Sequence, residues 1–174
     1  MAQKITKLAI FDFDGTLVDT PLPETGKELY QEKTGKQWPH IGWWSKQESL
    51  DLQVFEMPTL DEVITDYERC FAEDGTAVVM LTGRRLHLSA HVELILDTKG
   101  LKFDEYHYNR GGATEVEKMK TMGKLLEKYP DVDSIEMWDD RLAHIPHFEK
   151  WGAEQLESGR IKHFKINIVK GNHH

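Results

Sequence analysis

Leu8-Ala9-Ile10-Phe11-Asp12-Phe13-Asp14-Gly15-Thr16 is the stretch on which the reading of this chain turns. An apolar run with β-branched and aromatic members is closed by the turn-prone Asp14-Gly15, which predicts a buried strand over residues 6–12. Two further runs repeat the pattern. Ala77-Val78-Val79-Met80-Leu81 stops at Thr82-Gly83-Arg84, and Ser134-Ile135-Glu136-Met137-Trp138 stops at Asp139-Asp140-Arg141. Residues 164–169 form a fourth candidate strand, and residues 103–108 a weaker fifth.

Helical patterns lie between these runs. Thr59-Leu60-Asp61-Glu62 has the form of a capping box, followed by Leu60, Val63, Ile64, Tyr67 and Phe71 at helical spacing up to a stop at Gly75. Residues 86–98 predict a second helix ending at Gly100. Thr114-Glu115-Val116-Glu117 caps a third, with Met119, Met122, Leu125 and Leu126 on one face, and residues 142–157 predict a fourth. Strands alternating with helices imply right-handed crossovers and a parallel sheet covered on both faces, an α/β, Rossmann-like fold. Residues 20–58 break the pattern with Pro21, Pro23, Pro39 and Pro58 and a group of aromatics, and read as an irregular excursion forming a flap or small cap.

The chain has 174 residues, with 22 Lys+Arg against 30 Asp+Glu, a formal charge of −8 and a single cysteine. That length fits one domain with a real core, and Cys70 alone can form no internal disulfide, so the expectation is a single soluble domain of a reducing compartment, the cytoplasm. The short apolar run after Met1 is too brief for a signal peptide or a membrane span. A molecule this acidic repels polyanions at long range, which argues against coating of duplexes but leaves a nucleic-acid end as substrate, since a bound cation or a few Arg can reverse the field inside one cleft.

In open α/β sheets ligands collect beyond the carboxyl ends of the strands, where Asp12, Asp14, Asp139 and Asp140 would meet. Four carboxylates brought together raise one another's pKa or require a cation, and Mg²⁺ is the natural partner of such an oxygen set. An EF-hand is excluded, because Leu17-Val18 follow where more acids should stand.

FDFDGTLVDT at residues 11–20 resembles the first motif of the haloacid dehalogenase superfamily of phosphotransfer enzymes. Leu81-Thr82-Gly83-Arg84 is similar to the second motif, a Lys near a helix start to the third, and Trp138-Asp139-Asp140-Arg141 to the acidic fourth, in family order. More narrowly, Thr20-Pro21-Leu22-Pro23, Trp43-Trp44 with Ser49-Leu50, and Asp139-Asp140-Arg141 with His144 and Phe148 resemble the Swiss Army knife RNA-repair-like branch. The Thr-Gly-Arg and Asp-Asp-Arg pairing also resembles the phosphatase domain of polynucleotide kinase-phosphatases.

The resemblance implies a Mg²⁺-dependent phosphomonoester hydrolase in which Asp12 is the nucleophile, forming an aspartyl-phosphate, and Asp14 the acid–base, a role typically contributing ~10²–10⁴-fold. Thr82 and the amide after it would donate to phosphoryl oxygens, with Asp12, the Asp14 carbonyl, Asp139 and Asp140 holding the metal. For the third-motif lysine, Lys118 and Lys120 lie roughly 200° apart around their helix, so one of them faces the cleft. Lys118 is the choice, Lys120 stays open, and Lys99 is remoter. Gly83, Arg84 and Arg141 flank the motifs as substrate-binding candidates. Either arginine could fork onto a phosphate or pair instead with a neighbouring carboxylate.

Trp43 and Trp44 carry two readings, a base-stacking pair worth ~1–3 kcal/mol per base or a small core holding the flap. Trp138, Trp151 and Cys70 read as packing residues. His87 with His91, and His144 with His147, have spacings that could share a metal, but no third ligand stands at a suitable distance. Asn172-His173-His174 reads as a native tail or an expression remnant. The expected function is removal of a phosphate from a nucleic-acid 3′ end. The alternatives are a phosphatase of nucleotides or sugar phosphates and a non-catalytic domain that binds a phosphorylated partner.

Overall fold

The computed structural model describes residues 4–170, so the terminal Asn172-His173-His174 lies outside the described residues. Five strands form one parallel sheet: β1 (Lys7–Phe11), β2 (Thr76–Arg85), β3 (Glu105–Asn109), β4 (Ser134–Asp139) and β5 (His163–Ile168), in the order β3-β2-β1-β4-β5. Five α-helices accompany them: α1 (Pro23–Thr34), α2 (Asp61–Ala72), α3 (Ser89–Thr98), α4 (Thr114–Lys128) and α5 (Ile145–Glu157). No helix among the described residues is long and apolar enough to cross a membrane.

Alternation along the strands divides the core into two layers. Ala9, Phe11, Val78, Met80 and Trp138 face one side with Val63, Tyr67 and Cys70 of α2 and Val92, Ile95 and Leu96 of α3. Leu8, Ile10, Val79, Leu81, Ile135 and Met137 face the other, with Met122, Leu125 and Leu126 of α4 and Phe148 of α5. Phe11 and Trp138 stack across the β1–β4 pair with ring centroids 4.1 Å apart, and the Trp138 indole donates to Asp66 at 2.9 Å.

From β1 the chain adds strands in one direction (β2, β3) and then in the other (β4, β5), so the order reverses beside β1. At such a switch point the connections diverge and leave a crevice beyond the strand ends. Phe11 is in register with Met80 and Trp138, which puts Asp12 level with the end of β4 and with Leu81 inside β2.

Several local expectations are corrected. β2 does not stop at Leu81 but continues through Thr82-Gly83-Arg84, because pairing with β3 resumes at Arg85 and Asn109 after a register shift. The helix expected over residues 86–98 is a 3₁₀ turn, Leu86–Leu88, followed by α3. Neither capping box forms. Thr59 bridges to Val18 and leaves Leu60 to start α2, while Thr114 is already inside α4, which begins after Ala113 without a side-chain cap. Phe71 is exposed, and Cys70 takes the buried place on α2.

The segment 20–58 is less irregular than expected. Pro23 and Gly35 bracket α1, the proline at its first turn and the glycine in the left-handed conformation just past its end. The helix buries only Gly26, against which the Trp43 ring packs so closely that a Cβ there would lie 2.2 Å from it. Trp43 also meets Trp38 and Phe55, and Phe55 and Met57 join the core layer of Phe11.

Candidate active site

Asp12 follows directly on β1, anchored by its backbone N–H donating to Trp138 at 3.0 Å. The carboxylate is buried. Lys118 reaches it from the second turn of α4, with Nζ 3.1 Å from Asp12 Oδ1 and 2.8 Å from Asp139 Oδ2, and the lysine itself is 3% exposed. Thr16 donates to the other Asp12 oxygen at 3.4 Å. Of the two lysines the sequence offered, Lys120 is exposed and pairs with Glu117.

One oxygen from each of Asp12, Asp139 and Asp140 lies within 4.8 Å of the others. Two of these three buried acids, Asp12 and Asp139, share the Lys118 ammonium. Asp139 has the Arg141 N–H as a second donor at 3.0 Å, but both carboxylate oxygens of Asp140 are buried without a hydrogen-bond partner among the described residues. Burial, and next the Asp12 charge, push the Asp140 carboxyl up to about 9. Burial likewise lifts Asp12, against the opposing charge of Lys118, to about 6. For Lys118 burial works against the charged form, and the charges of Asp12 and Asp139 outweigh it, so its pKa is raised. Carboxylate oxygens without donors, beside two more acids and with no soft ligand among them, fit a hard divalent cation, and this cluster could hold a metal ion.

A cleft of about 270 Å³ opens over the cluster, lined by Asp12, Asp14, Trp44, Gly83, Arg84, Thr114, Lys118, Asp140, Arg141 and His144. Residues 22–174 match the family of HAD domains, family 1, in Swiss Army Knife RNA repair proteins. The chain belongs to this haloacid dehalogenase (HAD) family. The match begins downstream of Asp12 and Asp14, whose placement rests on the geometry above. An uncharacterised protein of Saccharomyces cerevisiae is 26% identical over 187 aligned residues, covering 94% of this chain, which spans only 40% of that relative's length. Two solved structures share the fold. A haloacid dehalogenase-like hydrolase of Streptococcus pneumoniae has a TM-score of 0.53 at 12% identity, covering 92% of this chain and 93% of its own. An archaeal β-phosphoglucomutase of Pyrococcus has a TM-score of 0.55 at 15% identity, covering 84% of each chain.

The second acid of this HAD domain, Asp14, stands outside the carboxylate cluster. Its side chain is held by Arg84, with Nε 2.9 Å from Oδ2 and Nη2 2.8 Å from Oδ1, and Thr20 donates to Oδ1 at 2.6 Å. The remaining terminal nitrogen of Arg84 donates to the Trp44 carbonyl at 2.7 Å and the Ser49 hydroxyl at 2.8 Å. Of the two roles open to Arg84 in the sequence, the structure takes the carboxylate pairing, so it borders the cleft with its fork already engaged. Arg141 is exposed at the rim.

Thr82 is buried and its hydroxyl accepts from the Arg84 N–H at 3.1 Å, while its neighbour Gly83 forms part of the cleft wall. A Cβ on Gly83 would lie 2.6 Å from the Thr114 methyl, so the glycine is what lets α4 begin against β2. That start turns the positive end of the α4 dipole toward the cleft.

Of the two readings open to Trp43, the structure takes the core one and not the substrate contact: the residue is 3% exposed, with its indole donating to Pro21. Trp44 alone of the pair lines the cleft, its ring over the Arg84 guanidinium at 5.0 Å. The histidine pairs do not assemble. His87 contacts Ser45, and His144 is buried at the cleft while His147 is exposed. Thr20, Ser49, Thr114 and His144 are the site residues not assigned roles from the sequence. Thr20 and Ser49 lay inside the motifs that carried the resemblance, but nothing in a linear pattern says that both converge on Asp14 and Arg84.

Proposed function

We propose that this chain is a Mg²⁺-dependent phosphomonoester hydrolase that works through an aspartyl-phosphate on Asp12. The observation that carries this reading is the buried Asp12 carboxylate, gripped by Lys118 at the floor of a cleft beside the donor-less oxygens of Asp140. Asp12, Asp139 and Asp140 would hold the cation, joined by the Asp14 carbonyl. Bound there, Mg²⁺ supplies positive charge to the phosphoryl oxygens.

An Asp12 oxygen attacks phosphorus and forms the P–O bond as the bond to the leaving alcohol oxygen breaks. Asp14 delivers the proton that the leaving oxygen takes up. Water then attacks the aspartyl-phosphate, Asp14 takes its proton, and the bond from phosphorus to Asp12 breaks to release phosphate. Both Asp14 oxygens accept from Arg84, so each proton transfer requires one of these bonds to loosen. Lys118 keeps Asp12 charged and aligned, and Thr82 and the Gly83 backbone bind the transferring group.

The substrate class we favour is a nucleic-acid end carrying a 3′-phosphate, in RNA repair, which the family match supports. Residues 20–58 would act as a flap, with Trp44 facing the substrate and Arg141 reaching its phosphates at the rim. The charge of −8 and the small cleft favour a second reading, a phosphatase of nucleotides or sugar phosphates.

Phosphate release by wild type and Asp12→Asn, with Mg²⁺ or excess chelator, tests both across nucleotides, sugar phosphates and 3′- or 5′-phosphorylated oligonucleotides. Hydrolysis should require Mg²⁺ and fall on the order of 10⁴-fold in Asp12→Asn. Preference for 3′-phosphorylated oligonucleotides over mononucleotides supports end repair, and preference for a small metabolite refutes it.

A further inference from the structure

His144 stands immediately before α5, is 7% exposed, and lines the cleft with Thr114, Lys118 and Arg141. Its Nε2 lies 3.5 Å from the Glu115 carboxylate, and its Nδ1 is buried with no hydrogen-bond partner among the described residues. Buried polar atoms are paired as a rule, so an unpaired one on a side chain that lines a ligand cleft points to a group that the ligand brings.

The character of that group follows from the surroundings. Burial, and next the Arg141 charge, hold the imidazole below its ordinary pKa, so the ring is neutral at pH 7. The Glu115 carboxylate favours the ring N–H on Nε2, which leaves Nδ1 a lone-pair acceptor. The Arg141 charge beside the ring disfavours a cationic donor there, and the neutral donor that a phosphoester substrate brings is a hydroxyl. A cleft of about 270 Å³ holds a phosphate and one sugar-sized group, so a hydroxyl that reaches His144 belongs to the group esterified to that phosphate.

We infer that His144 Nδ1 accepts a hydrogen bond from a hydroxyl on the carbon adjacent to the phosphate ester, making the cleft selective for vicinal-diol monoesters such as a ribose 3′-phosphate with its 2′-hydroxyl. This rests on the phosphomonoesterase reading and deepens it, because it names the chemistry of the leaving group and the residue that selects it. A substrate lacking the hydroxyl leaves Nδ1 unpaired in the complex, which is the strongest way a site rejects an analogue.

The test compares kcat/KM within pairs that differ by one hydroxyl. These are oligonucleotides ending in ribose 3′-phosphate or 2′-deoxyribose 3′-phosphate, and propane-1,2-diol 2-phosphate against isopropyl phosphate. Wild type should prefer the hydroxyl-bearing member by about tenfold or more. His144→Leu should bring that ratio near one, and His144→Asn, whose amide oxygen can stand in for Nδ1, should keep part of it. A purely structural histidine would shift both members of a pair together.

Thermal melting gives the second readout. His144→Leu removes an unpaired buried atom together with the Glu115 contact, so its Tm should stay close to that of wild type. If the leucine variant does not fold, the wild-type ratios and His144→Asn decide. Hydrolysis without a hydroxyl preference, or a ratio untouched by His144→Leu, overturns the subsite and leaves the phosphatase reading standing. No Asp12-dependent hydrolysis of any member overturns the phosphatase reading, and the subsite falls with it.

Discussion

β4 carries a buried acid in its middle and two more at its carboxyl end, and the two groups are treated in opposite ways. Glu136 receives hydrogen bonds from Lys7 at 3.0 Å, Arg69 at 3.4 Å and Asn167 at 2.9 Å. Burial pushes its pKa up, but the Asn167 and Lys7 hydrogen bonds and the charges of Lys7 and Arg69 outweigh it, and the net shift is downward. Four residues later, Asp140 is buried with no donor for either oxygen among the described residues, and its carboxyl is pushed up to about 9. One strand therefore holds an acid that the protein satisfies by itself and leads into an acid that the described residues leave without a donor. The difference separates structure from site without reference to any relative.

The two ends should respond oppositely to mutation, metal and pH. Removing the only ammonium among the three site acids has the largest effect. Lys118→Met should cost about 3–5 kcal/mol in the metal-free protein by denaturant unfolding, with saturating Mg²⁺ restoring part of it. A Lys118→Met variant as stable as wild type would break the contrast at its root.

Asp140→Asn should act in the other direction. A carboxyl whose folded pKa is raised from 3.8 to about 9 binds more protons folded than unfolded, so metal-free stability falls as pH rises between those values. The substitution should flatten that fall and stabilise the metal-free protein at pH 8 by about 1–3 kcal/mol, while weakening Mg²⁺ binding in calorimetry. Steeper loss with pH in the variant than in wild type would contradict the assignment.

Glu136→Gln should have the smallest effect, a loss of about 1 kcal/mol with Mg²⁺ affinity intact, since Lys7 and Arg69 are partly exposed. Its folded pKa is depressed, so its contribution is present above the unfolded pKa and disappears as pH falls through the folded value. Changed Mg²⁺ affinity in this variant would join the two ends into one network.

The site acids were legible because chemistry at a strand end leaves a local mark: an apolar run stops and an acid follows, as at Asp12 and Asp139. The sheet was legible for the same reason, since Val78-Val79-Met80 cannot be solvated. What escaped was held together across distance. α1 buries a single glycine, so no apolar stripe announces it, and its seat is the Trp43 ring. The capping boxes misled because Thr59 and Thr114 had other partners, Val18 and Gly83. Nothing adjacent in sequence distinguishes Trp43 from Trp44, yet one is core and the other borders the cleft.

Arg84 makes hydrogen bonds through four of its five N–H groups to Asp14, Trp44 and Ser49, and no other side chain could do so, because a lysine ammonium cannot fork across a carboxylate and reach two further acceptors. The positions are far apart in the sequence but form one hydrogen-bonded unit. Losing Asp14 strands a buried cation, losing Arg84 leaves Asp14 with the Thr20 hydroxyl in place of a paired charge, and filling the Ser49 site with an apolar group takes an acceptor from the guanidinium. A change at any one of these sites is felt at the others, and the segment that carries Ser49 and Trp44 is mechanically coupled to the acid beneath it.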